Sequence, residues 1–152
     1  MVENNSKISM NYYDFKRGLQ LDRVLRFVGS EFTPPQLLNN VNLDSYARKL
    51  SEFANFLICG LDGEDIGFIA FYENKISNEL YITLIAVRQD LQHHGYGSDL
   101  LCQFEQKYKG TLFTEIKLEV DKDNLNAYDF YRKHGFHEIE DRSQKLLMGK
   151  RI

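Results

Sequence analysis

A strongly apolar stretch, Leu80 to Val87, runs into a pair of glycines and then a helix, and this passage restricts the fold more than any other. Leu80, Ile82, Leu84 and Ala86 alternate with Tyr81, Ile85 and Val87, so a strand there is apolar on both faces. Such a strand must be covered on both sides, as in an α/β sandwich. Downstream, Leu100, Leu101, Phe104 and Tyr108 form the stripe of an amphipathic helix over 96–108. Gly95 and Gly97 stand where the chain turns from strand to helix. A helix start presents unpaired N–H groups and the positive end of a dipole. Without a Cβ at 95 and 97 a bulky anion can approach those donors closely. The physical reading is a phosphate or pyrophosphate cradle built from Gln92, His93, His94, Gly95, Tyr96, Gly97 and Ser98.

What is missing narrows the ligand. A Walker A loop needs Lys after the second glycine, and none follows. A dinucleotide fingerprint needs a third glycine where Leu100 stands. The spacing Gln92-x-x-Gly95-x-Gly97 resembles the acyl-CoA pyrophosphate loop of the GNAT acetyltransferase superfamily. A second segment, from Asn124 to Phe136, resembles the later signature of the same superfamily, Asn-x-x-Ala-x-x-Phe/Leu-Tyr-x-x-x-Gly-Phe. Ala127, Phe130, Tyr131 and His134 share one helix face, and Gly135 is a fitting residue to end that helix. The two motifs occur in family order and cover the C-terminal half. One departure is Gln89, where many members carry Pro; it loosens the turn without removing a donor.

Composition sets outer limits. The chain has 152 residues, 43% of them hydrophobic, which fits one domain with a sizeable core. No apolar run approaches the roughly 20 residues of a membrane span, and the N-terminus lacks a signal-peptide core. A net charge of −3 gives no support to nucleic-acid binding. Cys59 and Cys102 read as reduced thiols, pointing to the cytoplasm. His93 and His94 are adjacent and face apart, and no zinc spacing exists, so no metal is expected. The two histidines fit better as part of the anion loop.

Periodicity predicts the remaining elements. Residues 1–8 are polar and expected to fray. Helices are predicted over 16–29 and 43–53, separated by an extended segment around Phe32-Thr33-Pro34-Pro35. Strands 56–61 and 66–72 read as a hairpin about Asp62–Asp65, and the central strand 80–87 follows. Then come helix 96–108, strand 113–120, helix 124–134, strand 136–141 and a last strand near 145–151. This order agrees with the fold the resemblance implies: a mixed, mostly antiparallel central sheet flanked by helices, in one domain. In it the central strand and the next are parallel neighbours that splay apart, with the acyl-CoA arm between them.

The resemblance also implies roles. Ile85, Ala86 and Val87 would pair with the pantetheine arm and polarise the thioester. Asn124 or Asn126 caps the following helix, and Asn124 would also bond the pantetheine. Arg88, Arg132 and Lys133 either meet outer phosphates or are ordinary solvated charges. Tyr131 stands where the family protonates the CoA thiolate, but equally fits a core tyrosine on an apolar helix face. Glu119, in Leu118-Glu119-Val120, resembles the base of members that acetylate ribosomal-protein N-termini; alternation also allows a solvated or salt-bridged residue. Glu73 and Glu79 are weaker candidates for the base. Phe32, Pro34, Pro35, Tyr46 and Tyr72 would form an aromatic wall for the acceptor. The expected activity is acetyl transfer from acetyl-CoA to a primary amine of a small molecule or amino sugar. A protein N-terminus or lysine as acceptor, or an acyl-CoA-binding module without catalysis, are the alternatives. A homodimer is compatible with all of them, and no membrane or nucleic-acid partner is expected.

Overall fold

A computed structural model describes residues 10–34, 38 and 42–152. The segment 1–8 and Pro35 lie outside the described residues. In chain order the elements are strand β1 (Met10–Phe15), helices α1 (Leu21–Val28) and α2 (Leu43–Phe53), and strands β2 (Asn55–Leu61), β3 (Glu64–Asn74) and β4 (Glu79–Val87). Helix α3 (Tyr96–Tyr108), strand β5 (Glu115–Asp121), helix α4 (Leu125–Lys133) and strands β6 (His137–Arg142) and β7 (Lys145–Arg151) complete the fold. The strands form one sheet in the order β1-β2-β3-β4-β5-β7-β6. Every neighbouring pair is antiparallel except β4–β5.

Helices α2 and α3 start and stop where their apolar periodicity places them. The β2–β3 hairpin turns through Asp62 and Gly63, both at positive φ, the geometry that favours an Asp-Gly pair. Two features differ from the sequence reading. Strand β1 was not expected: it is an edge strand paired only with β2, and Met10-Asn-Tyr-Tyr-Asp-Phe has little apolar alternation. Helix α1 begins at Leu21 rather than near 16, because Arg17 and Gly18 take positive φ and turn the chain out of β1.

Strands β2, β3 and β4 feed two separate cores. On one face α3 and α4 cover Leu57, Ile69, Phe71, Leu80, Ile82 and Leu118. On the other, α1 and α2 cover Phe56, Ile58, Phe68 and Ala70. There the Phe27 ring stacks on Phe68 at 4.4 Å, and Phe32 meets Phe27 edge-on at 5.2 Å.

Strict alternation fails once in β4. Ala70 pairs with Leu84 and Phe71 with Ile82, which leaves Thr83 as an extra, bulged residue. Leu80 and Ile82 therefore lie in the α3/α4 core, whereas Leu84 and Ala86 pack against the α1/α2 core. The expectation that these four share a face is corrected by that one residue. The bulge also marks where β4 leaves β5. Parallel pairing runs only from Glu79 with Glu115 to Ile82 with Leu118. From Thr83 to Val87 the β5-facing edge of β4 has no strand beside it.

Candidate active site

The open edge leads directly to the glycine loop. A short 3-10 turn over Gln89–Leu91 follows β4, and Gly95 then caps α3 at φ 88°, a conformation glycine adopts at little cost. His93 also lies in the left-handed region at φ 67°. Among the described residues, no acceptor meets the backbone N–H groups of His93, His94, Gly95, Tyr96, Gly97 and Ser98. A Cβ at Gly97 would meet the Phe130 ring at 3.7 Å, an ordinary contact, so protein packing alone does not demand glycine there.

Gln92 is corrected from donor to scaffold. Its N–H donates to the Gln89 carbonyl at 3.4 Å, and its side-chain amide donates to the Val87 carbonyl at 3.1 Å. His94 is folded onto the loop, its Nδ1–H donating to the Gln92 carbonyl at 2.9 Å. Ser98 Oγ and His134 Nε2, 3.0 Å apart, tie the start of α3 to the end of α4. Arg88 is committed elsewhere, to Asp90 at 2.7 Å and Glu64 at 2.9 Å, whereas Arg132 and Lys133 are exposed. Gln89 tightens the turn rather than loosening it. Its N–H donates to the Glu31 carbonyl at 2.8 Å and its amide to the Ser30 carbonyl at 2.8 Å, and proline could make neither bond.

Where β4 and β5 part there is a cavity of about 310 Å³. Ile85, Asn124, Ala127 and Tyr131 lie on its wall with Tyr46, Tyr81, Thr83 and Glu119. A wider cavity of about 790 Å³ shares Asp121 and Asn124 with it and opens between Pro34, Asp123 and the β6–β7 turn at Ser143 and Gln144. Asn124, not Asn126, is the N-cap of α4, its side chain accepting from the Ala127 N–H at 3.1 Å. Asn126 is exposed and lines neither cavity.

Tyr131 is 8% exposed and its ring packs on Phe130 and Phe136, so it is a core residue. Its hydroxyl makes no hydrogen bond to any described residue, and burial alone pushes its pKa up. A buried, unbonded hydroxyl on a cavity wall is a donor awaiting an acceptor. Glu119 lines the same cavity and is salt-bridged as well, accepting from Arg142 Nη1 at 3.0 Å. Tyr81 is pushed up to about 12 by burial and by the adjacent Glu119 carboxylate, so it stays a neutral donor.

The expected acceptor wall is only partly present. Tyr46 lines the inner cavity, its hydroxyl 3.2 Å from Thr83 Oγ1, and Pro34 lines the outer one. Phe32 is fully buried among the α1/α2 aromatics and lines neither cavity. Tyr72 packs beside that core and is half-buried outside the cavity wall. Glu73 is held by Lys16 and Tyr108, and Glu79 by Lys117, both away from the cavities. Tyr81 and Arg142 were not foreseen. A hydroxyl amid an apolar strand signals the first; nothing local signals the second. Among the described residues no group of His, Cys, Asp and Glu could hold a metal, and no helix is long and apolar enough to cross a membrane.

The free N–H groups, the open β4 edge and the unbonded Tyr131 hydroxyl fit one extended ligand with a pyrophosphate at one end and a thioester at the other. Comparison with known proteins gives the same direction. The acetyltransferase (GNAT) family model matches residues 22–136. An uncharacterized N-acetyltransferase of Methanocaldococcus jannaschii is 32% identical over 102 residues, covering 64% of this chain and 45% of that protein. The protein YdhI of Bacillus subtilis is 32% identical over 88 residues, covering 58% and 52%. The chain thus spans about half the length of the curated relatives it matches. In fold it is similar to the PaiA N-acetyltransferase of Thermoplasma acidophilum, solved with coenzyme A, at a TM-score of 0.73, 20% identity and coverage of 95% and 100%.

Proposed function

The chain belongs to the GNAT acetyltransferase family, and from that premise we propose that it moves the acetyl group of acetyl-CoA to a primary amine of a small molecule or amino sugar, by direct attack in a ternary complex. The observation that carries the reading is the cavity in the β4–β5 gap, which has both an unbonded phenol and a carboxylate on its wall. Acetyl-CoA supplies an activated thioester when bound. The N–H groups of 93–98 hold its pyrophosphate, and main-chain groups of Ile85, Ala86 and Val87 hold the arm, except that Gln92 already occupies the Val87 carbonyl. A β4 N–H stabilises the oxygen charge that develops on the acetyl carbonyl.

Glu119 takes the proton that an ammonium must lose before its nitrogen can attack. The new C–N bond replaces the C–S bond, and the departing thiolate is met by the Tyr131 hydroxyl. Proton transfer from a free phenol to a thiolate is uphill by about 2 kcal/mol. Burial raises the Tyr131 pKa further, so its main contribution is a hydrogen bond to the developing thiolate, with full transfer late. A protein N-terminus is the second reading, favoured by the open 790 Å³ outer cavity. The test is release of CoA from acetyl-CoA in the presence of a panel of small amines, amino sugars and peptides. Turnover of an amine supports transfer; binding of acetyl-CoA with no turnover of any amine would identify a binding module instead.

A further inference from the structure

The carboxylates around the two cavities are already matched by cations. Arg142 Nη1 lies 3.0 Å from Glu119, Lys145 Nζ lies 3.9 Å from Asp121, and Lys122 in the outer wall is drawn 2.6 Å from Asp141. Arg142 reaches Glu119 from the end of β6 while its Nε and Nη2 hold Glu140, at 3.1 and 3.0 Å. Asp123 is the one lining carboxylate without an ion pair among the described residues, and it is exposed. The other polar groups on the walls are neutral: Tyr46, Tyr81, Thr83, Asn124, Ser143 and Gln144.

A carboxylate has about four lone-pair sites, so Glu119 with Arg142 in place can still receive one amine proton. It has no spare charge for a second ammonium. A polyamine would need unpaired carboxylates to meet its further cations and would have to break an existing pair for each. A body rich in hydroxyls or amides finds partners without breaking anything.

We propose that Arg142 is a specificity-determining residue: by occupying Glu119 it restricts the acceptor to a single amine carried on an uncharged, hydrogen-bonding body, such as an amino sugar or an amino-acid amide, and turns away polyamines. This rests on the cavity being the acceptor site. The guanidinium fork is suited to the task, because its planar donors engage Glu119 and Glu140 together and remain charged at all working pH values.

The test compares glucosamine, alaninamide and spermidine as acceptors for the wild type, Arg142→Met and Arg142→Lys, each shown to be folded by circular dichroism. Wild-type kcat/KM favours glucosamine or alaninamide over spermidine by about tenfold or more, a difference of roughly 1.4 kcal/mol. In Arg142→Met the spermidine-to-glucosamine ratio rises by about tenfold, mainly through KM for spermidine, and becomes salt-dependent as expected of an uncovered charge. Arg142→Lys, which keeps the charge, returns the ratio most of the way. A wild type that prefers spermidine, or a ratio unmoved in Arg142→Met, overturns the proposal. Calorimetric binding of spermidine to each variant reads the same effect without turnover. If no probe is acetylated the transferase reading fails by itself, and Arg142→Met binding spermidine no more tightly than wild type overturns this proposal separately.

Discussion

On the α3 side of the cavity the groups turned toward a ligand belong to the main chain: the N–H groups of His93 to Ser98 and the open edge of β4 after Ile82. On the α2 side they are side chains, the Tyr46 and Tyr81 hydroxyls and Glu119 with its Arg142 partner. The two sides face one gap and differ in how sequence controls them. A main-chain site depends on where glycines and strand ends fall, and tolerates change in most side chains. A side-chain site depends on residues brought together from β4, β5, β6 and α2. The first is suited to a constant donor, the second to an acceptor that differs between relatives.

Tyr131 sits on the boundary between the two, and its removal has the largest expected effect. Tyr131→Phe keeps the ring packing on Phe136 and loses only the hydroxyl, so turnover falls by about 10²–10⁴ while acetyl-CoA binding survives. Turnover within about threefold of wild type on a good acceptor refutes the acid role. The same variant has a pH signature. Burial raises the folded-state pKa of Tyr131, so its contribution is full below about pH 10 and is lost as pH rises and the unfolded chain ionises. Alkaline melting curves then fall less steeply for Tyr131→Phe than for wild type.

The main-chain side is probed next. Acetyl-CoA at about 100-fold above its dissociation constant stabilises the protein by about 2.7 kcal/mol. Gly97→Val abolishes that thermal shift by blocking approach to the donors. Gly95→Val does so too, but at φ 88° it also strains the folded chain, which makes Gly97 the cleaner probe. A retained shift in Gly97→Val would make the loop a structural turn only.

Smaller effects come from the side-chain half. Glu119→Gln lowers turnover by about tenfold to 10²-fold, most at low pH where the amine is protonated, and leaves acetyl-CoA affinity unchanged. A pH–rate profile matching wild type leaves Glu119 as the Arg142 partner alone. The smallest effect belongs to Gln89→Pro, which removes two hydrogen bonds to the Ser30–Glu31 carbonyls. The loss is about 1 kcal/mol of stability, since proline stiffening of the unfolded chain offsets part of it. A more stable variant would show that this tether is dispensable.

Legibility in the sequence followed the same division. The glycine loop, α3, Asn124 and Tyr131 were readable because each is bound to a local pattern: a strand end, a helix stripe, a cap. Phe32 was misplaced because its ring looks alike in a core and on a binding wall, and only the packing of Phe27, Phe56 and Phe68 decides. Arg142 was invisible because its partner Glu119 is two strands away in the sheet. Strand β1 was missed for a related reason: an edge strand with one neighbour needs no apolar alternation of its own.

The bulged Thr83 makes β4 a strand with a change of phase. Upstream of it even-numbered residues belong to the α3/α4 core; downstream the same parity belongs to the other. Loss of one residue between Ile82 and Val87 would restore simple alternation and carry the wrong side chains into both interiors at once. Addition of one would move Val87 and everything tethered to it relative to α3. Length variation is therefore tolerated at the exposed tip around Ile76, which is 99% exposed, and forbidden nine residues later. The spacing from strand to glycines acts as a fixed count, and it is this count that aligns a thioester with Tyr131 when a pyrophosphate is seated on α3.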